Sequence, residues 1–117
     1  MITLVRGKVP AGRQRPRIVG VCFGCQLLAD VLGGRAGPNP SGAFVLGCEQ
    51  WCLSDKGASL FGDGTPPLNI IETHGDCVIQ LPDDGHVLAS SKSCAHELFT
   101  ISSNGEFDTA HGYASLP

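Results

Sequence analysis

The chain has 117 residues, enough for one domain with its own core but not for two. Apolar residues make up 42% of it and charged residues 16%, a balance that excludes intrinsic disorder. The net charge of −3 offers no electrostatic basis for binding nucleic acid or an anionic membrane. No signal peptide or membrane-length apolar run is visible, so we expect a cytoplasmic protein whose six cysteines are reduced.

The N-terminal residues are basic, with five of the eight Lys and Arg side chains placed before the first acid, Asp30. Such a segment is compatible with a mitochondrial transit sequence or with a solvated helix end and loop. Pro10 and Gly12 interrupt the amphipathic pattern, which favours the second interpretation. We therefore assign residues 1–16 to an N-terminal helix end and loop that precede the domain.

A buried strand followed by a helix is predicted next. Residues 17–22, RIVGVC, are short and almost continuously apolar, the pattern of a strand covered on both faces. Residues 25–32, CQLLADVL, place their leucines and valine on one helical face, and the glycine pair at 33–34 ends the helix. Strand, turn and helix in this order form half of a βαβ unit and indicate an α/β fold.

The rest of the chain is predicted to be mainly strands. A long loop is expected at 54–67, and residues 105–117, with weak periodicity, are predicted as an irregular tail. Strands this closely spaced predict an antiparallel or mixed flank on a sheet that begins with parallel pairing. The predicted strands lie at 43–53, 68–72, 77–81, 86–91 and 96–102.

The turn between the first strand and the helix contains a G-x-C-x-G motif, the thiol counterpart of the G-x-S-x-G nucleophile elbow. Such a turn exposes its central residue in a strained conformation, and glycines at positions such as Gly20 and Gly24 relieve the crowding. The helix N-terminus favours a thiolate at Cys22, and the backbone N–H of Phe23 is placed to donate to an oxyanion. The motif therefore predicts that Cys22 is a nucleophile.

Two other interpretations of the cysteines remain open from the residues alone. Cys22 and Cys25 form a CxxC at a helix N-terminus, as in dithiol redox sites. Together with Cys48 and Cys52 they could form a structural zinc site, although the second pair lies within a predicted strand. The four cysteines downstream of the helix are otherwise interpreted as small, buried, reduced hydrophobes.

The motif and the segments after it resemble class I glutamine amidotransferases, in particular the stand-alone members that include γ-glutamyl peptidase-like proteins. Those proteins carry a G-x-C-x-G-x-Q turn and a helix that ends in Gly-Gly, similar to GVCFGCQLLADVLGG here. The resemblance continues through SLFGDG, ETHGDCVIQLP, HVLASS and HELFTI, and we place the domain at residues 17–104. It implies an α/β, flavodoxin-like sheet that is incomplete here, with a parallel core and a mixed or antiparallel flank.

The resemblance also implies a reaction, the Cys-dependent hydrolysis of glutamine or γ-glutamyl amide bonds through a γ-glutamyl thioester. Cys22 would be the attacking thiolate, with the Phe23 N–H in the oxyanion site. The implied partner is a small-molecule substrate, with neither a cofactor nor a metal. The residues that would contact the γ-glutamyl group are Gln26, Thr73, His74 and Gly75.

The chain departs from the family pattern at the general base, which in the family is a His in a distal H-P-E segment whose Glu orients it. No H-P-E occurs in this sequence. His111 lies nearest to the expected place, but Gly112 and Tyr113 follow it. The family usually has His where this chain has Cys25, although that position is not the base.

The expected domain is incomplete at both ends. Few residues precede Cys22, the glycine-rich loop that completes the oxyanion hole is missing, and only one helix is predicted where an α/β layer needs helices on both faces. The first hypothesis is therefore a hydrolase lineage with weak or absent activity in this chain. The second is a non-catalytic protein that binds a γ-glutamyl ligand or a partner, and the third is a CxxC metal or redox module. Exposed sheet edges predict association with other chains.

Overall fold

The computed structural model describes residue 12, residues 18–101 and the backbone of residues 113–116. The predicted N-terminal segment, apart from residue 12, lies outside the described residues. Within them the chain forms eight strands and two helices. In chain order these are β1 (Val19–Val21), α1 (Phe23–Val31), β2 (Arg35–Pro38), β3 (Val45–Leu53), α2 (Asp55–Phe61), β4 (Leu68–His74), β5 (Asp76–Gln80), β6 (Gly85–Ser90), β7 (Leu98–Ile101) and β8 (Tyr113–Leu116).

The main sheet has six strands in the order β1-β8-β7-β6-β3-β4. β1 and β8 pair in parallel, whereas the other pairs of this sheet are antiparallel. The α/β fold is therefore confirmed, but its parallel part is limited in the described residues to one pair of strands. The antiparallel flank follows from the short connections between β6 and β7, because a parallel pair needs a long crossover.

A second, two-stranded sheet corrects the prediction for residues 77–81. That segment, β5, does not join the main sheet but pairs antiparallel with β2, with Pro38 opposite Asp76. Residues 35–38 carried no strand prediction, since their Gly and Pro residues are typical of turns.

Helix α1 packs across both sheets, but its buried face differs from the predicted one: of the predicted residues only Leu32 is buried, whereas Leu27, Leu28 and Val31 are half-buried. Its buried residues Cys25 and Ala29 contact Val78 of the small sheet and Phe99 and Ile101 of the main sheet. The predicted stop at the glycine pair is also confirmed, because the N–H groups of residues 33 and 34 bond back to helix carbonyls and residue 33 has φ 101°. A second core cluster lies between β3, β6 and β7.

The prediction of a long loop at 54–67 is wrong for residues 55–61, which form helix α2. Ser54 caps it by accepting a hydrogen bond from the Gly57 N–H at 3.1 Å and donating one to the Val87 carbonyl at 2.7 Å. A Cβ at Gly57 would lie 2.1 Å from the Leu88 carbonyl oxygen. The glycine that weakens the helix pattern in the sequence is thus required for the helix to lie against β6.

The prediction of an irregular tail is wrong for residues 113–116, which form β8. This strand pairs with β1 on one side and β7 on the other. Its parallel partner β1 is more than ninety residues away in sequence, so no local pattern indicated that pairing. Neither of the two helices that the structure describes is long and apolar enough to cross a membrane.

Candidate active site

Cys22 occupies a one-residue turn between β1 and α1. Its backbone has φ 54° and ψ −117°, and it is the only non-glycine residue of the described chain with positive φ. A residue held in such a conformation costs about 1–3 kcal/mol. Its side chain makes no capping hydrogen bond, and the residue is exposed. The Phe23 N–H next to it belongs to the first helical turn, whose donors have no intrahelical acceptor.

The two glycines of the motif differ in their surroundings. A Cβ on Gly20 would lie 2.6 Å from the carbonyl carbon and oxygen of Gly24 and 2.7 Å from Leu28 Cδ1. A Cβ on Gly24 would meet no atom within 4 Å. The predicted crowding is therefore confirmed at Gly20. It is wrong at Gly24, where there is open space for a Cβ.

A cavity of about 160 Å³ lies beside the Cys22 turn. It contains four of the predicted site residues, whereas Phe23, which is 70% exposed, and Gly75, which faces Phe44, do not line it. The lining residues are Cys22, Cys25, Gln26, Ile71, Glu72, Thr73, His74, Asp76, Cys77, Val78, Cys94, His96 and Glu97.

Gln26 and His74 both bond to the backbone at the start of β5. Gln26 Nε2 donates to the Asp76 carbonyl at 3.1 Å, and the His74 Nδ1–H donates to the same oxygen at 3.1 Å. His74 Nε2 lies 2.9 Å from Glu72 Oε2, and the other Glu72 oxygen accepts a hydrogen bond from Trp51 Nε1. His74 is therefore buried with both ring nitrogens engaged.

Glu97 is a fully buried carboxyl group in the same cavity. Ser91 Oγ donates to its Oε1, whereas its Oε2 has no hydrogen-bond partner among the described residues. Burial raises the pKa of Glu97 to about 7, because the charged form loses its hydration. Sequence reasoning missed both Glu72 and Glu97, although an acid within an apolar strand pattern is an available signal.

The histidines lie in different places. His96 lines the cavity, and its Nδ1–H donates to the Val78 carbonyl at 2.7 Å. His86 contacts Lys56 Nζ at 2.8 Å, outside the cavity lining. His111 lies outside the described residues.

All six cysteines are free, and four of them, Cys22, Cys25, Cys77 and Cys94, line the cavity. Cys25 is 2% exposed within the α1 core, and burial raises the pKa of its thiol to about 12. Cys77 and Cys94 are buried as predicted, but the same interpretation is wrong for Cys48 and Cys52, which lie on the exposed side of β3.

The zinc interpretation of the two cysteine pairs is not supported by the geometry. In the described part of the chain, the only group of three or more side chains at metal-ligand spacing is Glu72, His74 and Glu97. The CxxC is not a pair of accessible thiols either, since Cys22 is exposed and Cys25 is in the core.

These features define an α/β protein with a cysteine at a tight strand-to-helix turn beside a cavity. A family model described as "Glutamine amidotransferase class-I" matches residues 8–105. The chain therefore belongs to the class I glutamine amidotransferase family, and the predicted family is confirmed.

Named relatives and solved structures are similar to part of this chain. Gamma-glutamyl peptidase 3 of Arabidopsis thaliana is 36% identical over 92 residues, which cover 74% of this chain and 36% of the relative. The glutamine-hydrolyzing GMP synthase of Streptococcus uberis is 36% identical over 81 residues, which cover 68% of this chain and 15% of the relative. The chain thus spans about a third or less of the curated relatives named here.

The fold agrees with a crystal structure of a glutamine amidotransferase from Thermotoga maritima. The TM-score is 0.63 at 22% identity, with 84% of this chain and 37% of that chain covered.

Proposed function

We propose that this chain binds glutamine or a γ-glutamyl amide in the cavity and that Cys22 is the nucleophile. The observation that carries the proposal is the Cys22 turn, in which a strained, exposed thiol at the N-terminus of a nine-residue helix lines a cavity. A strained backbone conformation is typical of functional sites. Gln26, Thr73 and His74 line the same cavity and would contact the γ-glutamyl group.

In the proposed reaction, the sulfur of Cys22 forms a bond to the side-chain carbonyl carbon of the substrate. The carbonyl oxygen becomes an oxyanion, which the Phe23 N–H would stabilise. The C–N bond then breaks, and the nitrogen takes a proton and leaves as ammonia or an amine. Water adds to the γ-glutamyl thioester, the C–S bond breaks, and the γ-carboxylate and the thiol are released.

We assign proton exchange with Cys22 to His96, the second histidine of the cavity lining in the described residues. Its Nδ1–H donates to a backbone carbonyl, which leaves the lone pair of the neutral ring on Nε2. Nε2 has no hydrogen-bond partner in the described chain, whereas both nitrogens of His74 are engaged. A carbonyl stabilises an imidazolium less than a carboxylate does, so we expect a weak hydrolase. Loss of triad members in a serine hydrolase costs about 10⁴ to 10⁶ in kcat.

The test is ammonia release from glutamine and amine release from a γ-glutamyl peptide, with Cys22→Ala beside the wild type. Cys48→Ala is the matched control, because Cys48 is exposed on β3 and does not line the cavity. Intact mass should show one glutamyl adduct on the wild type and on the control. Equal release by Cys22→Ala and the wild type would refute the nucleophile assignment.

A second candidate function is γ-glutamyl binding without turnover. It is favoured by the absence of an H-P-E segment from these 117 residues. Saturable binding of glutamine by calorimetry, with neither ammonia nor a glutamyl adduct, would support this alternative over hydrolysis.

A further inference from the structure

Three buried ligand-type side chains meet in the wall of the cavity, and of these only His74 has a part in the proposed hydrolysis. Glu72, His74 and Glu97 are respectively 6%, 9% and 0% exposed. One nitrogen or oxygen atom of each lies within 4.8 Å of the others. Glu72 and His74 extend from the same side of β4, two residues apart, and Glu97 directly precedes β7.

The outer atoms of Glu72 and His74 are held by other groups. The His74 Nδ1–H donates to the Asp76 carbonyl, so Nε2 is the nitrogen available to a metal ion, which would replace the proton that Nε2 shares with Glu72 Oε2. Trp51 Nε1 donates to Glu72 Oε1, which leaves Oε2 directed at His74 Nε2 at 2.9 Å. A ring N–H bound to a carbonyl and a carboxylate with one oxygen already bonded are typical of metal ligands and their supporting shell.

Glu97, like Glu72, has one carboxylate oxygen bonded to a donor, and its other oxygen is unsatisfied. Ser91 Oγ donates to Oε1, while Oε2 is buried without a hydrogen-bond partner in the described part of the chain. A buried acceptor without a partner is unfavourable, and a cation would satisfy it. The unsatisfied Glu97 Oε2 is the observation that indicates a bound cation, because an ion pair between Glu72 and His74 alone leaves this oxygen without a partner.

The charge of the cluster also favours a cation. Two carboxylates are buried together; His74 can pair with that of Glu72 at 2.9 Å, but no Lys or Arg lines the cavity in the described residues to pair with that of Glu97. A divalent ion bound by both carboxylates and a neutral imidazole gives a group of zero net charge. Buried carboxylates require such pairing or metal coordination.

The spacing suits a small ion. Bonds of about 2.0–2.2 Å in a tetrahedral site place ligand atoms about 3.3–3.5 Å apart. The distance between Glu72 Oε2 and His74 Nε2, 2.9 Å, is slightly shorter than this separation, and the three ligand atoms all lie within 4.8 Å of one another. An imidazole ligand favours a transition metal over Ca²⁺ or Mg²⁺.

We propose that Glu72, His74 and Glu97 bind one divalent transition-metal ion, with Zn²⁺ as the ion to test first. Three protein ligands leave a fourth position for water or a ligand from the cavity. This site does not include Cys22, so a failure to bind metal would leave the nucleophile assignment untouched, and His74 is the one residue that the two proposals share.

The experiment uses Trp51, the only tryptophan of the chain, as the reporter, because it bonds to a proposed ligand. The full chain, freed of metal by a chelator and dialysed, is titrated with ZnCl₂ while Trp51 fluorescence is recorded. We expect a saturable change at one equivalent, with the same stoichiometry from metal analysis after dialysis. No saturable change with excess Zn²⁺ would overturn the proposal, and this result does not depend on any variant folding.

Two variants and two controls assign the ligands. Glu97→Gln and His74→Gln keep polar side chains of similar size and should each weaken Zn²⁺ binding at least about tenfold. Asp83→Asn is the control, because Asp83 is an exposed acid that lies outside the cavity lining. It should bind like the wild type.

The second control removes the exposed thiols, which also bind zinc. Its variant, with Cys22, Cys48 and Cys52 all replaced by Ser, should keep the stoichiometry and the Trp51 signal. Loss of binding in this variant, or undiminished binding in both Glu97→Gln and His74→Gln, would overturn the assignment.

Discussion

Replacing Gly20 by alanine tests whether close contact between β1 and α1 sets the Cys22 turn. The added Cβ would lie 2.6 Å from the carbonyl carbon and oxygen of Gly24 and 2.7 Å from Leu28 Cδ1. Favourable carbon contacts begin at about 3.5 Å, so strand and helix must separate by about 0.8 Å. Two of these atoms belong to the backbone, and a side-chain rotation therefore cannot relieve the overlap.

The expected change in the free energy of unfolding of Gly20→Ala is the difference between two opposing effects. Overpacking of this kind costs about 1–3 kcal/mol, whereas Gly to Ala gains about 0.4–1 kcal/mol by restricting the unfolded chain. Gly20 does not have positive φ, so the substitution adds no backbone strain. We expect the free energy of unfolding of Gly20→Ala to fall by about 1–2 kcal/mol.

The assay is urea unfolding followed by Trp51 fluorescence, since Trp51 is 2% exposed and becomes hydrated on unfolding. Gly24→Ala is the matched control, because no atom lies within 4 Å of its Cβ and alanine favours the helix by up to about 1 kcal/mol. Its stability should equal or exceed that of the wild type. A Gly20→Ala protein within about 0.5 kcal/mol of the wild type would refute the packing argument.

Three further outcomes are expected. Gly57→Ala should lose at least about 1–3 kcal/mol in urea unfolding despite alanine's better helix propensity, because its Cβ would meet the Leu88 carbonyl at 2.1 Å; a stabilised variant would contradict this. Ser54→Ala should lose about 1 kcal/mol with the α2 cap, and unchanged stability would show that the cap is dispensable. Iodoacetamide at pH 8 should label Cys22 but not Cys25 in the native protein, since Cys25 is buried and its thiol pKa is raised to about 12; equal labelling in peptide mass spectra would contradict the placement of Cys25.

The strand, turn and helix around Cys22 could be predicted because each step depends on neighbouring residues. A continuous apolar run, an amphipathic stretch and a glycine pair indicate β1, α1 and the end of α1 within a few residues of one another. The same local pattern identified the family that the comparisons confirm. The nucleophilic role of Cys22 stays a prediction.

Helix α2 shows where local propensity fails. The sequence predicted a loop at 54–67, and the reason why a glycine fits at position 57 of the helix lies in the Leu88 carbonyl of another element. In the same way, the pairing of β2 with β5 depends on partners about forty residues apart. Propensity is a weak guide wherever tertiary contacts decide the conformation.

The sequence by itself determined the fold class, the family and the turn that carries Cys22, because these depend on residue types at fixed local spacing. Only the tertiary structure decided that Cys25 is a core residue and that Glu72, His74 and Glu97 meet in one cavity. The physical reason is that burial and convergence arise from non-local packing. An acid in a strand pattern can signal a buried carboxyl group, but only the folded chain shows which side chains meet it.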